Sequence, residues 1–134
     1  MWLVLIVEDD PQMRDFFGAS IKRSGDLALA GSVGTVAEAI AWLDDPAHAV
    51  DVVLTDLGLP DGSGLEVIRH ATQLHPACEP LVISMFGDED NVLASIEAGA
   101  LGYIHKDSTP EDIAHAIREE HTSESEERRV GKEC

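Results

Sequence analysis

The polar side chains able to do chemistry in this sequence stand at the ends of short apolar runs. Glu8 and Asp9 follow WLVLIV, Asp56 follows VVLT, Ser84 follows PLVI and Lys106 follows GYIH. Brought side by side, these ends would set three carboxylates against one ammonium and one hydroxyl. Carboxylates packed together repel, and one of them takes up a proton unless a cation relieves it. An oxygen-rich cluster of this kind suits Mg²⁺, which tolerates few protein ligands and keeps several waters. Zinc does not fit, because the histidines form no compact ligand pattern with Cys78 and Cys134. A carboxylate held this way is also a nucleophile towards phosphorus, able to form an aspartyl phosphate. Asp56 is the candidate, since the turn GLPDGSG after it leaves its side chain at an open edge. Lys106 would ion-pair with an incoming phosphoryl group and Ser84 would donate a hydrogen bond to it. Asp9 would hold the metal bridging Asp56 and the phosphoryl oxygens. Taken singly, each has a plainer reading: Asp56 a turn residue, Ser84 a strand-end hydroxyl, Lys106 a surface lysine.

Only a parallel sheet gathers such ends on one edge. Apolar runs at residues 2–7, 27–33, 50–55, 80–84 and 102–105 alternate with segments of helical periodicity. Runs apolar on both faces fit parallel strands covered by helices on either side. Asp10 caps the first helix with Pro11 at its first position; Met13, Phe16, Phe17 and Ile21 mark its inner face, and Gly25 ends it. Thr35 with Glu38, and Ser63 with Glu66, have capping-box spacing. The fourth helix follows Gly87, with Val92 and Ile96 as its apolar stripe. Thr109 and Pro110 open the fifth, whose inner face is Ile113, Ala116 and Ile117. Alternating β and α gives right-handed crossovers, and five units are too few for an eight-fold barrel. The expected fold class is therefore α/β, an open, doubly wound five-stranded parallel sheet with its site at the carboxyl ends of the strands. The glycines at 31 and 34 read as a turn before Thr35, Trp42 as surface or partial core, and His105 carries no chemistry.

The chain has 134 residues, which suits one domain, and a formal charge of −17 from 9 basic and 26 acidic side chains. That charge makes it a poor nucleic-acid binder. Two cysteines, one of them the last residue, make no disulfide framework and point to a reducing, cytoplasmic setting. The opening MWLVLIV lacks a basic flank and meets Glu8, unlike a signal peptide. No apolar run reaches the roughly 20 residues needed to cross a bilayer. The division is a domain over residues 1–120 and a polar tail or truncated linker over 121–134, HTSESEERRVGKEC.

The motifs VEDD, TDLGLPDGSG, ISMFG and GYIHKD occur in that order on the βα frame. With them the chain resembles a response-regulator receiver domain of bacterial two-component signalling over about residues 1–120. The resemblance implies a (βα)5 flavodoxin-like sheet of strand order 2-1-3-4-5. It makes Asp56 the phosphoacceptor, Ser84 the switch hydroxyl, Lys106 the family's lysine and Tyr103 the switch aromatic. It gives a Mg²⁺ held by Asp9, Asp56 and the Gly58 carbonyl, with Glu8 acting through water. It also implies a sensor histidine kinase or phosphotransfer protein as donor, autodephosphorylation, a homodimer on phosphorylation, and no contact with a membrane. Gly58 and Phe86 would tune dephosphorylation. The family often has a cis proline after its lysine; here Asp107 follows, so no cis bond is expected. GYIHKDSTPEDIAHAI is most similar to receivers attached to LuxR-type helix-turn-helix domains. Direct DNA binding would then belong to an output domain absent from this chain.

Rival readings meet specific residues. A haloacid-dehalogenase-type phosphotransferase needs a second Asp two residues after its nucleophile, where this chain has Gly58. A flavodoxin needs a phosphate-cradling loop after the first strand, where residues 8–11 are Glu, Asp, Asp and Pro. The chain is therefore not expected to be a turnover enzyme. The alternative is a stand-alone or phosphorylation-independent receiver acting as a protein-interaction module.

Overall fold

Period-two alternation within the apolar runs decides the layers. In β1 (Trp2–Val7), Val4 and Ile6 pack to one side of the sheet and Leu5 and Val7 to the other, all four fully buried. The computed structural model describes residues 2–84, 89–106, 109 and 111–117, without the side chains of residues 84 and 89–92. The expected features at Phe86, Gly87, Asp107, Pro110 and 121–134, and the Val92 and Ser84 side chains, lie outside it. β2 (Leu27–Val33), β3 (Val52–Asp56), β4 (Glu79–Ser84) and β5 (Gly102–His105) complete one parallel sheet in the order β2-β1-β3-β4-β5. Between them run α1 (Pro11–Arg23), α2 (Val36–Asp44), α3 (Gly64–Leu74), α4 (Glu89–Ala98) and, after β5, α5 (111–117).

Helices cover both faces. Phe17 and Ile21 of α1 and Ile113 and Ile117 of α5 join Val4, Ile6, Leu54 and Ile83 in one core. Val36, Ala39 and Leu43 of α2 and Val67 and Ala71 of α3 join Leu5, Val7 and Val53 in the other. This is the doubly wound arrangement, with a crossover at the β1/β3 boundary where the strand order reverses. The helix starts follow from their caps. Asp10 accepts from the Gln12 N–H at 2.9 Å with Pro11 next to it, and Thr35 accepts from the Glu38 N–H at 3.0 Å. Ser63 accepts from the Leu65 N–H at 3.1 Å, and Thr109 from the Asp112 N–H at 3.2 Å.

Several local expectations change. β3 starts at Val52 because the side chain of Asp51 serves the neighbouring strand, its carboxylate accepting from the Leu3 N–H at 2.8 Å. α1 ends at Arg23 with Ser24 as its C-cap in extended backbone, so Gly25 is not a left-handed stop; among the described residues only Gly99 has positive φ, at 124°. Gly31 lies inside β2 rather than in a turn. A register shift there moves the partner of Leu5 to Gly31, and a Cβ on Gly31 would stand 2.6 Å from the Trp42 indole nitrogen. Trp42 is half-buried over that edge and stacks on His48 at 4.3 Å. Ile96 faces outward, 46% exposed, because α4 turns the small residues Ser95 and Ala98 inward and so sits close to its neighbours.

Candidate functional site

Strand register sets the site. Val7 pairs with Thr55, Asp56 with Ile83, and Ser84 with His105, so the chain leaves the sheet at nearly one level on four strands. Glu8 and Asp9 leave β1, Asp56 closes β3, Ser84 closes β4 and Lys106 leaves β5. β5 lies two strands from β3, roughly 10 Å at the usual strand spacing. A long flexible cation is needed to cross that gap, and Lys106 crosses it: its Nζ donates to Asp56 Oδ2 at 2.8 Å and stands 3.0 Å from Glu8 Oε1.

Glu8 is fully buried. Its Oε2 accepts from the Asp10 N–H at 3.2 Å, whereas Oε1 has no hydrogen-bond partner among the described residues and stands 3.0 Å from the Lys106 ammonium. Burial pushes the Glu8 carboxyl above its usual range; the Asp10 N–H and Lys106 oppose that push, and Asp9 and Asp56 add to it. Burial disfavours the Lys106 charge, but the hydrogen bond to Asp56 and the neighbouring Glu8 carboxylate outweigh it, and its pKa is raised. Asp56 is 9% exposed. Its Oδ1 accepts from the Gly58 N–H at 3.3 Å, which fixes the carboxylate between that amide and Lys106. Asp9 is exposed at the rim.

Glu8, Asp9 and Asp56 each offer an oxygen, and these oxygens lie within 4.8 Å of one another. Three carboxylates against one lysine leave two negative charges, and a buried carboxylate oxygen with no hydrogen-bond partner among the described residues faces the cluster. A hard divalent cation fits this donor set.

The loop after Asp56 is built tightly. Two short strands, Gly58–Leu59 and Gly62–Ser63, pair antiparallel, and the Gly64 N–H donates to the Leu57 carbonyl at 2.9 Å. Gly64 passes so close beneath Asp56 that a Cβ would collide with the Asp56 carbonyl oxygen. Tyr103 is 49% exposed with its ring edge-on to His105 at 5.3 Å. Sequence reasoning missed two residues at the rim. Arg14 of α1 donates to the Glu8 carbonyl at 2.8 Å, and Asp61 accepts from the Val36 and Ala37 N–H groups at 2.8 and 3.0 Å. Arg14 follows Asp10 by one helical turn, a spacing that could have pointed back to the strand end; nothing local pairs Asp61 with α2.

The model of the family described as "Response regulator receiver domain" matches residues 4–118. The chain is 32% identical over 116 residues to the DNA-binding transcriptional activator DevR/DosR of Mycobacterium tuberculosis, covering 87% of this chain and 52% of that protein. The chain thus spans about half the length of several curated relatives it matches. Among solved structures, a CheY-like receiver domain protein from Methanospirillum hungatei superposes with a TM-score of 0.83 at 26% identity, covering 95% of this chain and 98% of that one. A LuxR-family two-component response regulator from Aurantimonas gives 0.78 at 28% identity, covering 97% and 99%.

Proposed function

The chain belongs to the response regulator receiver domain family, and from that premise we propose that it is a phosphorylation-dependent signalling switch with Asp56 as phosphoacceptor. The observation that carries this reading is the Lys106 ammonium shared between Asp56 at 2.8 Å and Glu8 at 3.0 Å, beside three convergent carboxylates. An Asp56 oxygen forms a bond to the phosphorus of a phosphohistidine. The P–N bond breaks, and the donor's imidazole leaves with that electron pair. Asp56 is already an anion, so no base is required. Lys106 then exchanges its carboxylate partner for a phosphoryl oxygen. Asp9, Asp56 and the Gly58 carbonyl would hold a Mg²⁺ ion, with Glu8 acting through water, and the ion would neutralise phosphoryl charge. Attack of water on the same phosphorus later releases inorganic phosphate and frees the carboxylate.

The Ser84 hydroxyl donates to the bound phosphoryl group, and Tyr103 turns inward from its half-exposed position, which reshapes the α4–β5–α5 face. A shift from mostly inactive to mostly active takes only a few kcal/mol. The donor is a sensor histidine kinase or phosphotransfer protein, and phosphorylation favours a homodimer. Gly58, two residues beyond Asp56, argues for self-catalysed phosphorylation and dephosphorylation rather than turnover of outside substrates. The relative DevR/DosR is named a DNA-binding activator, which supports transcription as the output, through a domain beyond these residues. With a charge of −17, this chain would not bind DNA itself. No helix among the described residues is long and apolar enough to cross a membrane; a cytoplasmic location is part of the proposal, as is the division into a receiver over 1–120 and a tail over 121–134.

The test is intact-protein mass after incubation with acetyl phosphate or phosphoramidate, with Mg²⁺ and with EDTA, beside Asp56→Ala. One phosphoryl adduct that needs both Mg²⁺ and Asp56 is expected. A folded wild type that takes no adduct from several donors would instead favour a phosphorylation-independent interaction module.

A further inference from the structure

Asp61 sits at the tip of the small hairpin that follows Asp56, yet its hydrogen bonds leave the hairpin. Its Oδ1 accepts from the Val36 N–H at 2.8 Å and its Oδ2 from the Ala37 N–H at 3.0 Å, the first two residues of α2. Thr35 takes the next amide, that of Glu38, at 3.0 Å. Each of the first three N–H groups of α2, which have no partner within the helix, is thereby met, two of them from a loop 24 and 25 residues away. Both amides hold the Asp61 carboxyl below its ordinary range. Apolar contact backs the polar one: Leu59 is 8% exposed and shares a core with Val36, and a Cβ on Gly62 would meet Val36 at 3.4 Å.

Backbone pairing ties the hairpin together between Asp61 and the site. Leu59 pairs with Gly62 and Gly58 with Ser63. Gly58 in turn donates to Asp56 Oδ1 at 3.3 Å, and the Gly64 N–H closes the base of the loop on Leu57. A restraint applied at the tip therefore reaches the residue beside the nucleophile through two rungs.

We propose that Asp61 is a positioning residue, a latch from α2 to the hairpin tip that holds Gly58 and Asp56 in the arrangement the metal requires. The inference rests on the reading of the site as a Mg²⁺-dependent phosphoacceptor. It assigns Asp61 no contact with metal or phosphoryl group; it acts through Gly58.

Three variants separate the latch from mere helix capping. Asp61→Ala removes both acceptors, Asp61→Asn keeps one acceptor oxygen, and Thr35→Ala removes a cap from the same helix end without touching the hairpin. Two quantities are read by NMR on the unphosphorylated protein: amide exchange at Gly58 and Gly64 without metal, and the Mg²⁺ Kd from shift titration. For Asp61→Ala, exchange at both amides should quicken and the Mg²⁺ Kd weaken by about fivefold each, the factor a lost cap commonly represents. Asp61→Asn should fall between, and Thr35→Ala should match the wild type in both. Equal effects from Asp61→Ala and Thr35→Ala, or none from Asp61→Ala while the wild type binds Mg²⁺, would overturn the latch. A wild type that binds no Mg²⁺ would overturn the reading of the site itself, and this inference with it.

Discussion

Replacing Gly64 by alanine should damage the protein far more than the same change at Gly58, although both glycines lie in one loop. A Cβ at Gly64 would collide with the Asp56 carbonyl oxygen and lie 3.0 Å from Leu57 Cα, while a Cβ at Gly58 meets nothing within 4 Å among the described residues. The obstacle at Gly64 is backbone, which cannot swing aside as a side chain does. Overpacking of this kind costs about 1–3 kcal/mol, and a backbone clash belongs at the upper end. Alanine is the better helix former by up to ~1 kcal/mol, and Gly64 opens α3, so a net loss of about 2 kcal/mol is expected. Neither glycine has positive φ, so Gly58→Ala should be neutral or gain up to ~1 kcal/mol through the unfolded chain. Urea unfolding followed by far-UV circular dichroism measures both, provided the m-values agree. The relief of the Gly64 clash must move Asp56 or Leu57, so phosphoryl uptake per folded molecule should fall as well. Stabilities for Gly64→Ala and Gly58→Ala that agree within ~0.5 kcal/mol would refute the argument that the close approach at Asp56 is what demands glycine.

Lys106→Met would leave the fully buried Glu8 and the nearly buried Asp56 without their cation. Breaking a buried pair costs about 3–5 kcal/mol, and the 23% exposure of the Lys106 side chain lowers the expectation to about 2 kcal/mol at neutral pH. Glu8 already has a raised pKa, so its protonated form favours folding: stability is gained below the usual value of 4.5 and lost as pH rises through the folded value. Removing Lys106 raises that value further, so the variant's deficit should shrink on acidification; a deficit that stays constant from pH 8 to pH 5 (~2 kcal/mol throughout) would count against the Glu8–Lys106 coupling. Cys78 is 3% exposed, and burial first, then the charges of Glu79 and Asp51, push its thiol up to about 12. In a Cys134→Ser background a thiol reagent should label it only as the fold opens, and rapid labelling of native protein would show that cover to be wrong.

The sheet was legible because short apolar runs alternate with segments of helical periodicity. β1, β2 and β5 begin and end where those runs do. The runs mislead where a polar side chain replaces a ladder bond. Asp51 satisfies the Leu3 amide with its carboxylate, so β3 starts after it although Val50 is buried. The inner face of α4 was misread for a different reason. Val92 and Ile96 are the expected buried stripe, but Ile96 is 46% exposed while Ser95 is fully buried. Small residues let a helix approach closely and so can mark the packed face, a signal that hydrophobic periodicity does not weigh.

The site was legible by residue type and strand position, and its couplings were not. A carboxylate or lysine just past a strand end is visible in the chain, because each strand end is a local event. Which of them meet depends on strand order and reach. Lys106 spans from the edge strand β5 to Asp56 on the central β3, 50 residues earlier, and in doing so also faces Glu8 of β1. Asp61 is harder still. Pro60, Asp61 and Gly62 have turn chemistry, which is sufficient local reason for an aspartate there, so nothing in the stretch marks a second use. Its partners are two backbone amides of α2, and amides carry no residue-type signature at all. A side chain that caps a helix distant in sequence can be found only once the topology has brought the two together. The parts of a site most hidden from sequence reading are therefore those in which a side chain serves the backbone of another element, as Asp61 does for α2, Asp51 for Leu3 and Arg14 for Glu8.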